Sequence, residues 1–463
     1  MSEAQAQALT VKLNIVFILT DDMREDDMMY MPKTHPLLRE QGMGFRNAFV
    51  SHALCCPSRA SIMRGQYAHN TGVWSNSPTD SPSTTNGGWQ AYQANGNEID
   101  NMATRLHSAG YRTALFGKYL NGYNTTEIPP GWDRWFAHIN GIDYYDYQIN
   151  DDGTIKHYDS TSADYETDVV AKQARTFIGT SAEAGVPFFA YVAPKAPHFP
   201  AIPAPRHRHA YDGLRALRPP SFNEKDVSDK ASWVRQLPRL SAANKAKIDN
   251  QHERRAESLQ AVDDLVAGVV GRLRDKGVLS STYIFFTSDN GWHEGEHRIP
   301  KEKWRPYEEN IHMPLWVRGP GVAAGSTTYK LTLNTDYLPT FTNLAGVQTP
   351  PYVDGRSLKP VLDGSLTSWR SAVLLEAAAN YSPAYRGIRT VNTNTITTRL
   401  YVEYSGAARE LYNLETDGFE LTNSYDAAAP PMSLAIRLQA LEVCAADTCR
   451  RAEDGRRSSL KKF

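Results

Sequence analysis

Two stretches far apart in the chain share one design, and it constrains the fold more than any other feature. Lys12 to Asp22 reads Lys-Leu-Asn-Ile-Val-Phe-Ile-Leu-Thr-Asp-Asp, and Ser281 to Gly291 reads Ser-Thr-Tyr-Ile-Phe-Phe-Thr-Ser-Asp-Asn-Gly. Each is a continuous apolar run, rich in branched or aromatic residues, that ends in acidic and amide side chains. A run without polar alternation predicts a strand buried on both faces, which requires cover on both sides of a sheet. Leu259, Val262, Leu265, Val266, Val269, Val270 and Leu273 recur at helical spacing and predict an amphipathic helix feeding the second strand. Further strands are expected at Arg112–Phe116, Pro187–Val192 and Met313–Val317. Strands alternating with helices give an α/β sheet with helices on both faces.

After Gly364 the pattern changes to short strands in succession: Arg370–Glu376, Ala384–Thr390 and Thr395–Tyr404. A turn at Glu410-Leu411-Tyr412-Asn413-Leu414 and a helix near Met432–Val443 follow. This divides the chain into a catalytic domain over 1–365 and a smaller α+β domain over 366–463, with no internal repeat. Two segments read as irregular loops, Ser75–Asn97 and Pro194 to about Leu240; long loops inside a compact domain are usually functional. The balance of 50 basic against 51 acidic residues gives no reason to expect a nucleic-acid partner. The basic tail Arg450–Lys462 reads as a solvated terminus.

No apolar run approaches the ~20 residues that span a bilayer, so no membrane span is expected. Met1–Thr10 lacks the apolar core of a secretory signal. The compartment stays open: secreted or periplasmic if a signal was removed, otherwise cytoplasmic. Cys444 and Cys449 are close enough for a small disulfide loop, which favours an oxidising compartment, and the alternative is two reduced thiols.

The strand ends carry the first chemistry. Asp21, Asp22, Asp289 and Asn290 sit where two chains leave a sheet, the place where ligands bind in open α/β folds. Four hard oxygen donors suit Ca²⁺, and Mg²⁺ less well because it demands a stricter geometry. Taken alone, either pair also reads as an ordinary turn or helix cap. The run Cys55-Cys56-Pro57-Ser58-Arg59 has little use in ordinary packing, although two buried small thiols remain the plain alternative. With a helix starting at Pro57, a favoured first position, Arg59 lies about one turn past Cys55.

That run resembles the sulfatase signature C-x-P-S-R, whose first Cys becomes formylglycine; Cys55 occupies the convertible position. Gly110–Leu120, with Lys118, resembles the second signature, and Ala196-Pro197-His198-Phe199-Pro200 resembles a sulfate-side His segment. Lys303–Glu308, Asp354–Leu358 and Glu410–Leu414 are similar to later landmarks, so the likeness runs in order along nearly the whole chain. Gly117-Lys118-Tyr119-Leu120-Asn121 brings it nearest to the N-acetylglucosamine-6-sulfatase and arylsulfatase branch.

The resemblance implies an alkaline phosphatase-like fold, a large mixed sheet flanked by helices with a smaller C-terminal domain on an antiparallel sheet. It implies a sulfuric ester hydrolase acting on a sulfated sugar or aryl sulfate, matured by a formylglycine-generating enzyme. The hydrate of formylglycine offers one hydroxyl to attack sulfur and a second to expel sulfate. Cys55, Arg59, Lys118, His198 and Lys303 would be catalytic; Lys118, His198, His293 and Lys303 would also contact substrate. Asp21, Asp22, Asp289, Asn290 and the Cys55-derived group would ligate Ca²⁺. His297 is expected near the same pocket, His207 and His209 in a solvated loop, and Trp74, Trp292 and Trp304 as stacking candidates. Many related arylsulfatases carry His two residues after the signature Lys, where this chain has Leu120. His198 or His293 would then serve as the base for sulfate release. Two other readings stay open: hydrolysis of phosphonate monoesters or phosphodiesters, and an unconverted, non-catalytic sulfated-glycan-binding protein.

Overall fold

The computed structural model describes residues 12–78, 86–141, 143–378, 383–392 and 397–455. Strands in chain order are β1 (Asn14–Thr20), β2 (Met43–Phe45), β3 (Ala48–Phe49), β4 (Arg112–Gly117), β5 (Arg134–Ile139), β6 (Tyr147–Asp151), β7 (Thr154–Tyr158) and β8 (Phe188–Ala193). They continue with β9 (Thr282–Ser288), β10 (Leu315–Arg318), β11 (Ser326–Thr328), β12 (Thr332–Leu333), β13 (Ala372–Ala377), β14 (Tyr385–Thr390), β15 (Arg399–Tyr404) and β16 (Arg409–Asn413). Ten of them form one mixed sheet in the order β11-β2-β10-β9-β1-β8-β4-β5-β6-β7. Its centre, β9-β1-β8-β4-β5, is parallel.

The expected double burial of β1 is realised residue by residue. Ile15, Phe17 and Leu19 face a layer containing Ile62, Met63, Leu106 and Phe341. Val16 and Ile18 face the opposite layer, with Phe177, Leu259, Val262 and Val266. Because successive strand side chains alternate, an apolar residue is needed at every position of such a strand. The helical stripe read from Leu259 to Leu273 belongs to a 34-residue helix, Ala242–Asp275, packed on this second face.

The smaller C-terminal sheet is antiparallel, β13-β14-β15-β16. Its core is shared with Phe49, Val50, Tyr67, Tyr307 and Ile311 from earlier in the chain. The expected turn at Glu410–Leu414 is instead the fourth strand. Glu410 and Tyr412 are buried while their neighbours are half-exposed, a period-two pattern too short and too polar to stand out in the sequence. The segment expected as a loop over Ser75–Asn97 contains a helix, Gly88–Ala94, and its residues 79–85 lie outside the described residues. Met1–Thr10 also lies outside them. Among the described residues, no helix is long and apolar enough to cross a membrane.

Cys444 and Cys449 form the disulfide, and its loop is tied to the segment that follows the Cys55 helix. His69 sits between Glu376 Oε2 and the Cys444 carbonyl, 2.9 Å from each. Burial lowers the His69 pKa, but the Glu376 hydrogen bond and charge outweigh burial and lift it from 6.5 to about 9. A raised folded pKa means the stabilisation is complete below pH 6.5 and is lost as pH rises through about 9. The expected loss is on the order of 3 kcal/mol. Urea melts of the wild type and His69→Gln at pH 6 and 9.5 measure it: the two should converge at the higher pH. A gap that stays constant across this window would show that the His69 charge does not supply this stabilisation.

Candidate active site

Three chain segments meet at the carboxyl end of the parallel strands. β1 ends at Thr20, and Asp22 adopts a left-handed backbone (φ 64°), a turn that lets adjacent Asp21 and Asp22 point into one space. Arg255 holds that turn by donating to the Asp22 carbonyl at 2.8 Å. β9 ends at Ser288, and Asp289 follows, its Oδ1 accepting from the Asp22 N–H at 3.1 Å. The third segment is the helix Cys55–Arg64, which begins two residues earlier than the expected start at Pro57. Pro57 is tolerated because the first turn of a helix leaves its N–H groups without helical partners. Asn76 Oδ1 accepts one of these, the Cys56 N–H, at 2.9 Å.

Cys55 is therefore the first residue of the helix, 1% exposed, with its Sγ 3.5 Å from Asp21 Oδ1 and 4.0 Å from Asp22 Oδ1. Lys303 Nζ reaches both Cys55 Sγ at 2.8 Å and Asp22 Oδ1 at 2.7 Å. Lys118 Nζ donates to Asp21 Oδ2 at 2.5 Å. Its backbone is set by Gly117 (φ 103°), where an added Cβ would lie 2.1 Å from the Ala193 carbonyl oxygen; only glycine fits there. Arg59, fully buried one turn into the helix, donates through Nε to Asp289 Oδ2 at 2.7 Å and through Nη1 to the Lys118 carbonyl at 3.0 Å. His198 Nε2 lies 3.5 Å from Asp22 Oδ2 at the half-exposed edge. Asn290 Nδ2 donates to Asp22 Oδ1 at 2.6 Å.

Three carboxylates and three cations thus share one dry space, and their ionisation follows. Burial alone would raise Asp21, but Lys118, His198, Arg59 and Lys303 together hold it well below the usual carboxylate range. Asp22 is lowered against burial in the same way, chiefly by Lys303. Burial and Asp21 push Asp289 up, with Arg59 pulling the other way. Burial alone would lower Lys303, but Asp22, Cys55, Asp21 and Asp289 together raise it well above a free ammonium. Burial pushes the Cys55 thiol up to about 12, so as a thiol it carries almost no thiolate at neutral pH. Burial lowers His198 against the pull of Asp22 and Asp21.

Whether these residues fit a hard cation is tested by their unsatisfied atoms. Asp22 Oδ2 and Asn290 Oδ1 are buried without a hydrogen-bond partner, and both belong to the oxygen set expected for Ca²⁺. Asp21, Asp22, Cys55 and His198 each bring a donor atom within 4.8 Å of the others. The two aspartates among them offer the anionic oxygens that Ca²⁺ takes, and the unpartnered Asn290 Oδ1 adds a neutral one.

Other expected residues lie elsewhere. His293 turns away from Cys55, its Nε2 3.8 Å from Glu309 Oε2 and its ring edge-on to Tyr307. His297 stacks on Tyr307 and bonds Glu224. Leu120 is buried in the hydrophobic core. His207 and His209 pair with Asp264 and Asp212 near the surface. Trp292 lies under Lys303 Nζ, 6.0 Å from ring centre, while Trp74 neighbours His52. Trp304 hydrogen-bonds through its backbone N–H to the Ala53 carbonyl.

Arg255 is the positioning residue that sequence reading passed over. Its signal was available: a charged residue four and seven positions before Leu259 and Val262, on the apolar stripe of the helix.

A family model described as Sulfatase matches residues 13–347, and one described as N-sulphoglucosamine sulphohydrolase, C-terminal, matches residues 295–440. The chain is 34% identical to the N-acetylglucosamine-6-sulfatase of Homo sapiens, over 95% of this chain and 86% of that protein. It is 36% identical to the extracellular sulfatase SULF-1 homolog of Drosophila melanogaster over 80% of its own length, but spans only 33% of that longer protein. Among solved structures, a protein in complex with its substrate D-glucosamine-2-N,6-O-disulfate superposes with a TM-score of 0.78, covering 96% of this chain and 99% of that one at 24% identity. The phosphonate monoester hydrolase of Silicibacter pomeroyi shares the fold at a TM-score of 0.68 and 22% identity, covering 93% of this chain and 95% of that one.

Proposed function

The chain belongs to the sulfatase family and is a sulfuric ester hydrolase, and on that premise we propose that it desulfates a sulfated sugar, a 6-sulfated glucosamine unit foremost. Cys55, converted to formylglycine by a generating enzyme, and a Ca²⁺ held by Asp21, Asp22, Asp289 and Asn290 complete the site. When present, the formylglycine hydrate supplies an oxygen nucleophile and the cation supplies fixed positive charge. The single observation that carries this reading is the meeting at Cys55 Sγ of Lys303 Nζ, at 2.8 Å, with the Asp21 and Asp22 carboxylates.

The chain's own residues account for the rest. Lys118 and Lys303, both buried and held protonated by neighbouring carboxylates, take the sulfonyl oxygens of the ester, where fixed charges count most. Arg59 keeps Asp289 oriented and offsets its charge. Lys303 is too strongly protonated to give up a proton easily, so His198 is the group that exchanges protons with the leaving oxygen and with the second hydroxyl. His293, turned toward Glu309, has no part in that step. The sugar choice is supported by the relatives acting on N-acetylglucosamine 6-sulfate and by the disulfated glucosamine bound in the superposing protein.

A direct assay decides the reaction. Protein co-produced with a formylglycine-generating enzyme should release sulfate from glucosamine 6-sulfate. It should also cleave nitrophenyl sulfate faster than the matched nitrophenyl phosphonate ester. A preference for the phosphonate, or sugar binding without sulfate release by protein carrying the aldehyde, overturns the reading.

A further inference from the structure

We propose that His297, Glu309 and Glu420 form a second and structural metal site for a borderline divalent cation of the Zn²⁺ class. His297, Glu309 and Glu420 each bring one donor atom, all within 4.8 Å of one another. His297 Nε2, Glu309 Oε2 and Glu420 Oε1 are buried without a hydrogen-bond partner, as are both ring nitrogens of His293. His297, His293 and Glu420 are at most 1% exposed. Buried polar atoms are almost always paired, and several orphans facing one another call for something that binds them all.

The tautomer of His297 selects what that is. Its Nδ1 lies 2.7 Å from Glu224 Oε2, and Lys230 Nζ lies 3.3 Å from the other oxygen of Glu224. The carboxylate takes the Nδ1–H, which leaves the Nε2 lone pair facing Glu309 and Glu420. A carboxylate behind a histidine in this way is the arrangement that orients metal-ligating imidazoles. Tyr307 stacks on the ring at 4.3 Å between centroids and fixes its plane. His293 Nε2 lies 3.8 Å from Glu309 Oε2, beside the three-residue cluster rather than in it.

One imidazole nitrogen and two carboxylate oxygens, three protein donors with a fourth position open, suit Zn²⁺, Mn²⁺ or Fe²⁺ rather than Ca²⁺. An entry path exists, because Glu309 also lines an open cleft with Arg24, Arg218, Glu308, His312 and Phe419. The donors come from separate segments: His297 precedes Lys303, Glu309 follows it, and Glu420 lies beyond β16. A cation there would clamp both flanks of the Lys303 loop to the C-terminal part of the chain.

The full chain, stripped with chelator and then dialysed against Zn²⁺, Mn²⁺ or Fe²⁺ with Ca²⁺ present, is analysed by elemental mass spectrometry and thermal melting. The expected result is one transition-metal equivalent per chain, with a raised melting temperature. His297→Ala and the near-isosteric Glu420→Gln should each weaken that binding at least about tenfold and abolish the thermal gain, with Ca²⁺ content unchanged. Glu224→Gln should weaken it roughly 10- to 100-fold. Asp289→Ala, a change in the Cys55 cluster, should keep the transition metal, so failure of the Ca²⁺ reading would leave this result intact. Less than one equivalent in ten chains with all three metals, or equal loading of Glu420→Gln and wild type, overturns the proposal.

Discussion

Cys55→Ala lowers kcat/KM for a sulfate ester by roughly 10⁴- to 10⁶-fold, the scale of removing a nucleophile that nothing else replaces. The fold survives, because the change deletes one sulfur at a position only 1% exposed and leaves no large void; the expected destabilisation is about 1 kcal/mol. Among the described residues, no other nucleophile sits against both Lys303 and the Asp21–Asp22 pair, so there is no understudy. Mass spectrometry of the tryptic fragment 47–59 is the companion measurement. It should find an aldehyde at Cys55 and an alkylatable thiol at Cys56. The aldehyde on Cys56, on neither residue in fully active enzyme, or wild-type turnover in Cys55→Ala would each end the nucleophile assignment.

Asp289→Ala should strike stability and ion binding together. Arg59 is fully buried and its charge is met by Asp289 Oδ2 at 2.7 Å. Its Nη1 has only the Lys118 carbonyl, and its Nη2 has no partner. Removing the carboxylate strands a buried guanidinium, which costs about 3–5 kcal/mol. The Asp22 N–H loses its acceptor in the same change, which loosens the turn that aims Asp21 and Asp22. Guanidinium melts should show a lower midpoint with an unchanged slope. Calorimetric titration should show Ca²⁺ binding lost. A variant as stable as the wild type, or one binding Ca²⁺ normally, contradicts this account of the Arg59–Asp289 pair.

Much of the sheet was legible because burial on both faces leaves an unmistakable trace. β1 and β9 cannot tolerate a polar residue in their interiors, so the places where Asp21 and Asp289 appear mark their ends. β16 was not legible, because Arg409-Glu410-Leu411-Tyr412-Asn413 offers only one apolar ring, Tyr412, to the core and buries Glu410 through hydrogen bonds rather than apolar packing. Glu410 accepts from Tyr404 Oη at 2.9 Å and from the Ala231 N–H at 2.7 Å, partners the local sequence cannot announce. The members of the site cluster could be named from their motifs, but their pairings could not. Nothing near Arg59 in sequence indicates that its carboxylate is 230 residues away. The partner of His293 was likewise not legible: three residues past Asn290 it reads as a pocket residue, and its ring lies against Glu309.

On the proposed conversion of Cys55, the separation of partners along the chain also sets a clock for that step. Lys303 is 248 residues downstream of Cys55, and β1 pairs with β9 from farther still. At typical synthesis rates that interval lasts about 12 to 50 s. For most of it the Cys55 segment has left the ribosome while the strand and loop that will enclose it do not yet exist. Once β9 docks and Lys303 closes over the thiol, no modifying enzyme can reach it. The fraction of active molecules should therefore depend on elongation rate, with slower translation downstream of residue 60 widening the only interval in which the side chain stands open.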